Sequence, residues 1–255
     1  MEIKTKSWLS LYLINDTSAC EDDEAGNSIR FAMDEKMIQG NDSVMNNMAK
    51  RMFDVFISLG GLIVLSPLII VISVKIYLND CGPVFYKAIR VGLNGKIFYM
   101  FKFRTMVLNA DKIGPSSASV SDKRITKPGR FLRKFKMDEI PQLFNVIKGE
   151  MSIVGPRPEE KKFTDLFSEE EKIILTVKPG ITDWASIWNS NEAELLEKSD
   201  NPDNTYLELI RPEKIRLQLK YIRNRNFFID LKIFFLTIQK MLWGNKQDKI
   251  VNLMS

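Results

Sequence analysis

The sequence predicts an α+β protein, mostly helical, with one membrane-associated helix near its N-terminal side, a small β-hairpin and several amphipathic helices. Three observations carry this. Residues 55–74 read VFISLGGLIVLSPLIIVISV without a charged residue. Residues 84–106 are rich in aromatic and β-branched side chains around Gly92-Leu93-Asn94-Gly95, a hairpin signal. Ile140, Leu143, Phe144 and Ile147 repeat at the spacing of one helical face.

Composition narrows the chemistry before any motif is read. A chain of 255 residues with 45% apolar content can bury a substantial core. It contains no histidine, so the reaction chemistry rests on carboxylates, lysines, arginines or hydroxyls. Cys20 and Cys81 form neither a disulfide framework nor a zinc pattern, which favours a reducing, cytosol-facing body. Residues 1–48 carry four basic and nine acidic residues, a net of −5 that leaves +10 on residues 49–255. That surplus suits anionic lipid, a phosphorylated small molecule or nucleic acid. No helix-turn-helix, RRM or zinc motif accompanies it, so nucleic acid is not expected.

Along the chain, residues 1–48 lack sustained periodicity and read as a poorly ordered extension. WLSLYLI at 8–14 is too short for a signal-peptide core. A natural start at Met45 or Met48 is the alternative, decided by N-terminal sequencing.

The apolar stretch follows, between Lys50-Arg51 and Lys75. Twenty helical residues make about 30 Å, the thickness of a hydrocarbon core. Pro67 removes a backbone donor and crowds the carbonyl of Ile63, while Ser66 can bond back to a carbonyl a turn earlier, so a bend is expected at this pair. Two outcomes stay open on physics alone: a kinked span, or a helix that turns at Ser66-Pro67 and leaves on the side it entered. Basic residues on both flanks fit the second.

Beyond the hairpin, residues 109–128 read as loop. A basic run at 122–136 leads into MDEIPQLFNVIKG, a helix with Asp138 at or near its N-cap, Pro141 in its first turn and Gly149 as its stop. Residues 159–177 read as helical, 178–180 as loop and 190–212 as irregular. Glu213 to Trp243 reads as helix, with an aromatic face beside lysines that suits a core or a membrane interface.

Adjacent Asp138-Glu139 is the most suggestive pair. A carboxylate held ionised at a helix N-terminus suits a nucleophile toward phosphorus or a ligand for a hard cation such as Mg²⁺, although on spacing alone plain capping is the stronger reading. The seven basic residues of 122–136 suit a phosphate clamp or a solvated face. Arg157, fixed between two prolines in GPRP, presents a guanidinium at little entropic cost.

KRMFD at 50–54, SP at 66–67, GPVF at 82–85, RVGLNGK at 90–96, KFRTM at 102–106, RITKPGRFLRKFKMDEIPQLFNVIKGEMSIVGPRP at 124–158 and KPGIT at 178–182 occur in this order. Together they resemble the bacterial sugar transferases known as small monotopic phosphoglycosyl transferases, over residues 49–243. The first 48 residues have no counterpart in the family's minimal form. The resemblance implies an enzyme that moves a phosphosugar from a UDP-sugar to undecaprenyl phosphate through a phosphosugar-aspartate and releases UMP. Such a step opens the synthesis of a capsule, exopolysaccharide, O-antigen or glycoprotein glycan. It implies Asp138 as nucleophile, Glu139 as holder of Mg²⁺, and Lys102, Arg133 and Arg157 as binders of the phosphates. It also implies re-entry at Ser66 and Pro67, with the protein monotopic in the inner membrane and its active site on the cytosolic face. Four segments are then expected: the extension 1–48, a re-entrant helix 49–78, a catalytic domain 79–243 whose amphipathic interfacial helices surround the site, and a tail 244–255. Anionic membrane lipids are expected partners and a homodimer is an open alternative. Two residues depart from the family pattern: Gln218, where an acidic residue is frequent, and Asp183, where glycine is usual.

Overall fold

The computed structural model describes residues 44–114, 121–189 and 202–243. Its first element, α1 (Val44–Asp80), is a 37-residue helix, about 55 Å long at the usual rise. It begins before the expected boundary at 49 and ends beyond 78, so residues 44–48 are helical; residues 1–43 and 244–255 lie outside the described residues. Pro67 sits inside it, and Ser66 Oγ donates to Ile63 O at 2.8 Å, the carbonyl that the proline ring deprives of its usual partner. Among the described residues, α1 is the one helix long and apolar enough to cross a membrane.

Both ends of α1 are tied to the same body. Near its start, Lys50 Nζ donates to Val154 O at 2.8 Å and to Asp230 Oδ2 at 2.7 Å, and Arg51 donates to the carbonyls of Val146 and Ile147. Asp54, buried, accepts from the Ile153 amide at 2.9 Å and Ser152 Oγ at 3.1 Å. Near its end, Ile72 and Ile76 pack with Phe103 and Leu132, and Asp80 takes a bidentate bond from Arg104. Between these anchors Leu59, Ile63, Val64, Ile70 and Val71 remain exposed.

Strands β1 (Phe85–Val91) and β2 (Ile97–Phe103) form the antiparallel hairpin, with Phe85 opposite Phe103 and Val91 opposite Ile97. Its turn places Asn94 at φ 55 and Gly95 at φ 73, which is why Asn-Gly stands there. Next come α2 (Lys127–Lys134), capped by Thr126 Oγ1 on the Gly129 amide, and α3 (Gln142–Lys148), stopped by Gly149 at φ 83. The deeply buried face of α3 is Gln142, Asn145 and Val146, while Phe144 of the predicted apolar stripe is exposed. Asn145 explains the offset. It donates to Tyr99 O and Glu150 and accepts from the Phe101 amide at 2.9 Å, so it closes the free edge of β2 with an amide in place of a third strand.

β3 (Ser152–Val154) and β4 (Gly180–Thr182) pair in parallel. The expected helix at 159–177 is two short pieces, α4 (Lys161–Thr164) and a 3₁₀ turn Glu171–Thr176, because Ser168 and Glu171 cap each other and restart the chain. After α5 (Trp184–Trp188), part of the stretch expected to be irregular, 190–201, lies outside the described residues. The rest is ordered as α6 (Pro202–Thr205) and a π turn Tyr206–Ile210, just before the proline that lacks the amide to continue an α ladder. The predicted C-terminal helix is two helices, α7 (Arg211–Asn224) and α8 (Phe227–Trp243), broken where Asn226 Oδ1 caps the Ile229 amide. The main core joins Met100, Val146, Val154, Ile222 and Ile233, and Phe53 of α1 packs edge-on against Phe227 and Phe234.

Candidate active site

The Asp138-Glu139 pair does not start a helix. It lies in a 3₁₀ turn, Met137–Glu139, and α3 begins only after Pro141. Lys136, just before it, has φ 53, an uncommon left-handed conformation for a side-chain-bearing residue that turns the chain sharply into the pair. Asp138 is buried and accepts no hydrogen bond from any described residue, so amides and a helix dipole do not hold it ionised. Burial pushes its carboxyl above the ordinary value. Lys102 pulls it down, Glu139 pushes it up, and Arg133 and Arg157 pull it down without cancelling burial.

Glu139 behaves oppositely. Burial pushes it up too, but Arg157 and Lys102 outweigh that and hold its carboxyl well below the usual carboxylate range. Arg157 reaches both Glu139 oxygens, through Nη1 at 3.1 Å and through Nη2, and Lys102 Nζ stands 3.3 Å from Oε1. Two adjacent carboxylates are thus split in character, one a firm anion braced by two cations, the other buried without a donor. Arg133 does not join that clamp. Its Nε donates to Thr105 Oγ1 at 2.9 Å, and its charge acts on Asp138.

Each cation is delivered by a different element. Lys102 is the penultimate residue of β2, opposite Tyr86. Arg133 comes from α2, where Thr126 N and Oγ1 both donate to Thr105 O and a Cβ on Gly129 would collide with that carbonyl at 2.0 Å. Arg157 comes from the loop after β3, where Gly155 and Gly180 pass so closely that a Cβ on Gly180 would lie 2.1 Å from Gly155 N. The predicted residues Lys102, Arg157, Asp138 and Glu139 are therefore brought together, and Arg133 is adjacent. Ser66 and Pro67 lie apart, on the exposed middle of α1.

Sequence reasoning gave no role to Thr105, the Arg133 partner, although KFRTM pointed to its neighbourhood. The two departures from the family pattern, Asp183 and Gln218, meet in space: Gln218 Nε2 donates to Asp183 Oδ2 at 3.2 Å.

Among the described residues no three His, Cys, Asp or Glu side chains cluster as a self-sufficient metal cage. Glu139, an anion with hard oxygen donors, has the chemistry of a ligand for a Mg²⁺ ion that takes one or two carboxylates and completes its shell with water and phosphate oxygens.

Comparison with known proteins gives the family. The family model for bacterial sugar transferase matches residues 45–244. The chain is 39% identical over 193 residues to an uncharacterized sugar transferase, EpsL, of Bacillus subtilis, covering 76% of this chain and 87% of that protein. It is 35% identical over 198 residues to a UDP-N-acetylgalactosamine-undecaprenyl-phosphate N-acetylgalactosaminephosphotransferase of Aeromonas hydrophila, covering 76% and 44%. It is 36% identical over 204 residues to the UDP-glucose:undecaprenyl-phosphate glucose-1-phosphate transferase of Escherichia coli K12, covering 78% and 41%. The chain thus spans less than half the length of the latter two. From the match across its described body and the first of these relatives, the chain belongs to the bacterial sugar transferase family.

Proposed function

We propose that this protein transfers a phosphosugar from a UDP-sugar to undecaprenyl phosphate, the acceptor named for two of its relatives. The observation that carries the reading is the convergence of Lys102 and Arg157 on Glu139, with Asp138 and Arg133 beside them. In the first step an Asp138 oxygen bonds to the phosphorus that bears the sugar. The bond from that phosphorus to the bridging oxygen breaks, and UMP leaves with the oxygen. In the second step a phosphate oxygen of the lipid attacks the same phosphorus and returns Asp138 as carboxylate. Every bond exchanged is P–O, so positioning and charge neutralisation carry the catalysis and no histidine is required.

Lys102, Arg133 and Arg157 bear on the negative charge that spreads over the transferring group. Glu139 would hold Mg²⁺, which when bound neutralises diphosphate charge. Glu139 also keeps two cations gathered beside the nucleophile while leaving Asp138 without a bonded partner, so its oxygens stay available for attack.

Re-entry of α1 belongs to the same reading. The body grips residue 50 and residue 80 alike. A straight span would part those anchors by the full membrane thickness, whereas a turn at Ser66-Pro67 keeps both on the cytosolic face of the inner membrane and seats the site at the depth of a lipid phosphate. The exposed Phe131 and Phe135 of the α2 region, beside Arg130 and Lys134, suit contact with anionic headgroups. The product opens a glycoconjugate pathway such as capsule, exopolysaccharide, O-antigen or glycoprotein glycan. The two relatives named above carry different sugars, so the sugar is to be found by screening.

The test is isotope exchange. Wild-type protein given Mg²⁺, labelled UMP and UDP-sugar, with no lipid acceptor, should move label into UDP-sugar. Asp138→Asn should not, and exchange persisting in that variant would exclude Asp138 as the nucleophile.

A further inference from the structure

Asp183 is completely buried, and no Lys or Arg among the described residues forms an ion pair with it. Four hydrogen bonds satisfy it instead. Oδ1 accepts from the Ser186 amide at 2.7 Å and from Ser186 Oγ at 2.6 Å; Oδ2 accepts from the Arg157 amide at 3.1 Å and from Gln218 Nε2 at 3.2 Å. Gln218, also buried, reaches the Arg157 carbonyl at 3.5 Å. The peptide groups on either side of the Arg157 Cα are thus held by one acid and one amide, donated by the loop before α5 and by α7.

A buried carboxylate without a cation carries a large desolvation cost, and one that merely filled the N-cap of a five-residue helix would need only its Ser186 contacts. Its second oxygen is spent on Arg157. The backbone of Arg157 is further confined by the close Gly155–Gly180 approach, leaving the side chain to carry the guanidinium onto Glu139. We infer that Asp183 and Gln218 are positioning residues that aim Arg157 at the carboxylate pair, the acid accepting from its amide and the carboxamide donating to its carbonyl. The inference rests on the proposed role of Arg157 in the transfer.

The chemistry of the contact makes this testable. All four groups around Asp183 present a proton to it. In Asp183→Asn the new NH₂ must face a donor on one side or the other, so the Arg157 loop loses an anchor. In Gln218→Glu two carboxylates face each other. In the double variant Asp183→Asn/Gln218→Glu, the new Asn NH₂ meets the new carboxylate but still faces the Arg157 amide donor, and the Glu side chain has no proton for the Arg157 carbonyl, so the side-chain pair returns without its hold on Arg157.

The experiment is steady-state kinetics of the four proteins, wild type included, in detergent or nanodiscs with UDP-sugar and undecaprenyl phosphate, alongside Arg157→Ala and a melting curve for each. A misplaced clamp of about 1 Å costs on the order of 100-fold, so each single variant should lose roughly that in kcat. The double variant should recover none of it, because its restored side-chain pair no longer holds the Arg157 backbone; a merely structural pair would let the rate return with the contact. Should Asp183→Asn not fold, the rate of folded Gln218→Glu decides the matter. Wild-type kcat in Asp183→Asn with Arg157→Ala inactive overturns the positioning inference alone, as does wild-type kcat in a folded Gln218→Glu or double variant. Wild-type kcat in Arg157→Ala overturns the functional reading beneath it.

Discussion

Replacing Glu139 by glutamine removes one charge from the site and leaves its shape. In the native protein that carboxylate accepts from both Arg157 Nη atoms and Lys102 Nζ, and its charge is one of the influences that raise the Asp138 carboxyl. Three consequences follow. Breaking a buried ion pair by neutralising one partner costs about 3–5 kcal/mol when both members are fully desolvated; Lys102 and Arg157 keep 21% and 29% of their side chains in contact with solvent, so the lower end applies, about 3 kcal/mol. For a body of this size that is a fall in Tm of roughly 6–12 °C. Next, Lys102 and Arg157 lose the anion that gathers them beside the transferring phosphoryl group, which lowers kcat by about 10²–10³. Finally, Asp138 loses a neighbouring anion while keeping three cations, so its pKa falls, and the acid limb of the residual kcat/KM must move to lower pH. Differential scanning fluorimetry and a pH series of residual turnover measure all three. An acid limb that stays in place or moves to higher pH would refute the claim that Glu139 sets the charge state of the nucleophile.

Asp138→Asn should raise Tm at neutral pH while abolishing turnover. The folded-state pKa of Asp138 is raised, so its ionisation disfavours the fold as pH climbs through that value; below the unfolded pKa both forms are neutral, and the Tm gain should vanish there. Pro67→Ala should straighten α1. In a Cys20→Ser background, exposed Cys81 just beyond the helix should be protected from an impermeant thiol reagent in intact cells when Pro67 is present and labelled when it is replaced; labelling of both would mean α1 spans. Phe103→Ala empties a site 1% exposed that joins the hairpin to Ile72 and Ile76 of α1, and should cost about 3–5 kcal/mol in thermal or denaturant unfolding.

What could be read in the sequence was local and periodic. The hairpin, the Gly149 stop and the charge-free helix carry strong near-neighbour signals, whereas Lys102, Arg133 and the roles of the site residues came only with the family resemblance. What escaped it depended on distant partners. Asp138 looks like an N-cap because acid, acid and proline precede a helical stripe; only the left-handed Lys136 and the burial of the turn show that the pair sits apart from α3. The splitting of the C-terminal helix hangs on one asparagine cap, and the broken helix at 159–177 on a mutual Ser168–Glu171 cap. Asp183 and Gln218 each looked like an isolated deviation, and their contact across 35 positions has no local signature.

The central claim is that Asp138 itself carries the phosphosugar between donor and lipid. Its most direct measurement is the mass of the protein after rapid mixing with UDP-sugar and Mg²⁺ in the absence of undecaprenyl phosphate, followed by acid quench and proteolysis. The account predicts one added sugar phosphate on the peptide containing Asp138, discharged when undecaprenyl phosphate is supplied and absent in Asp138→Asn. Lipid-dependent turnover with no adduct at any time point, or an adduct on another residue, would contradict it.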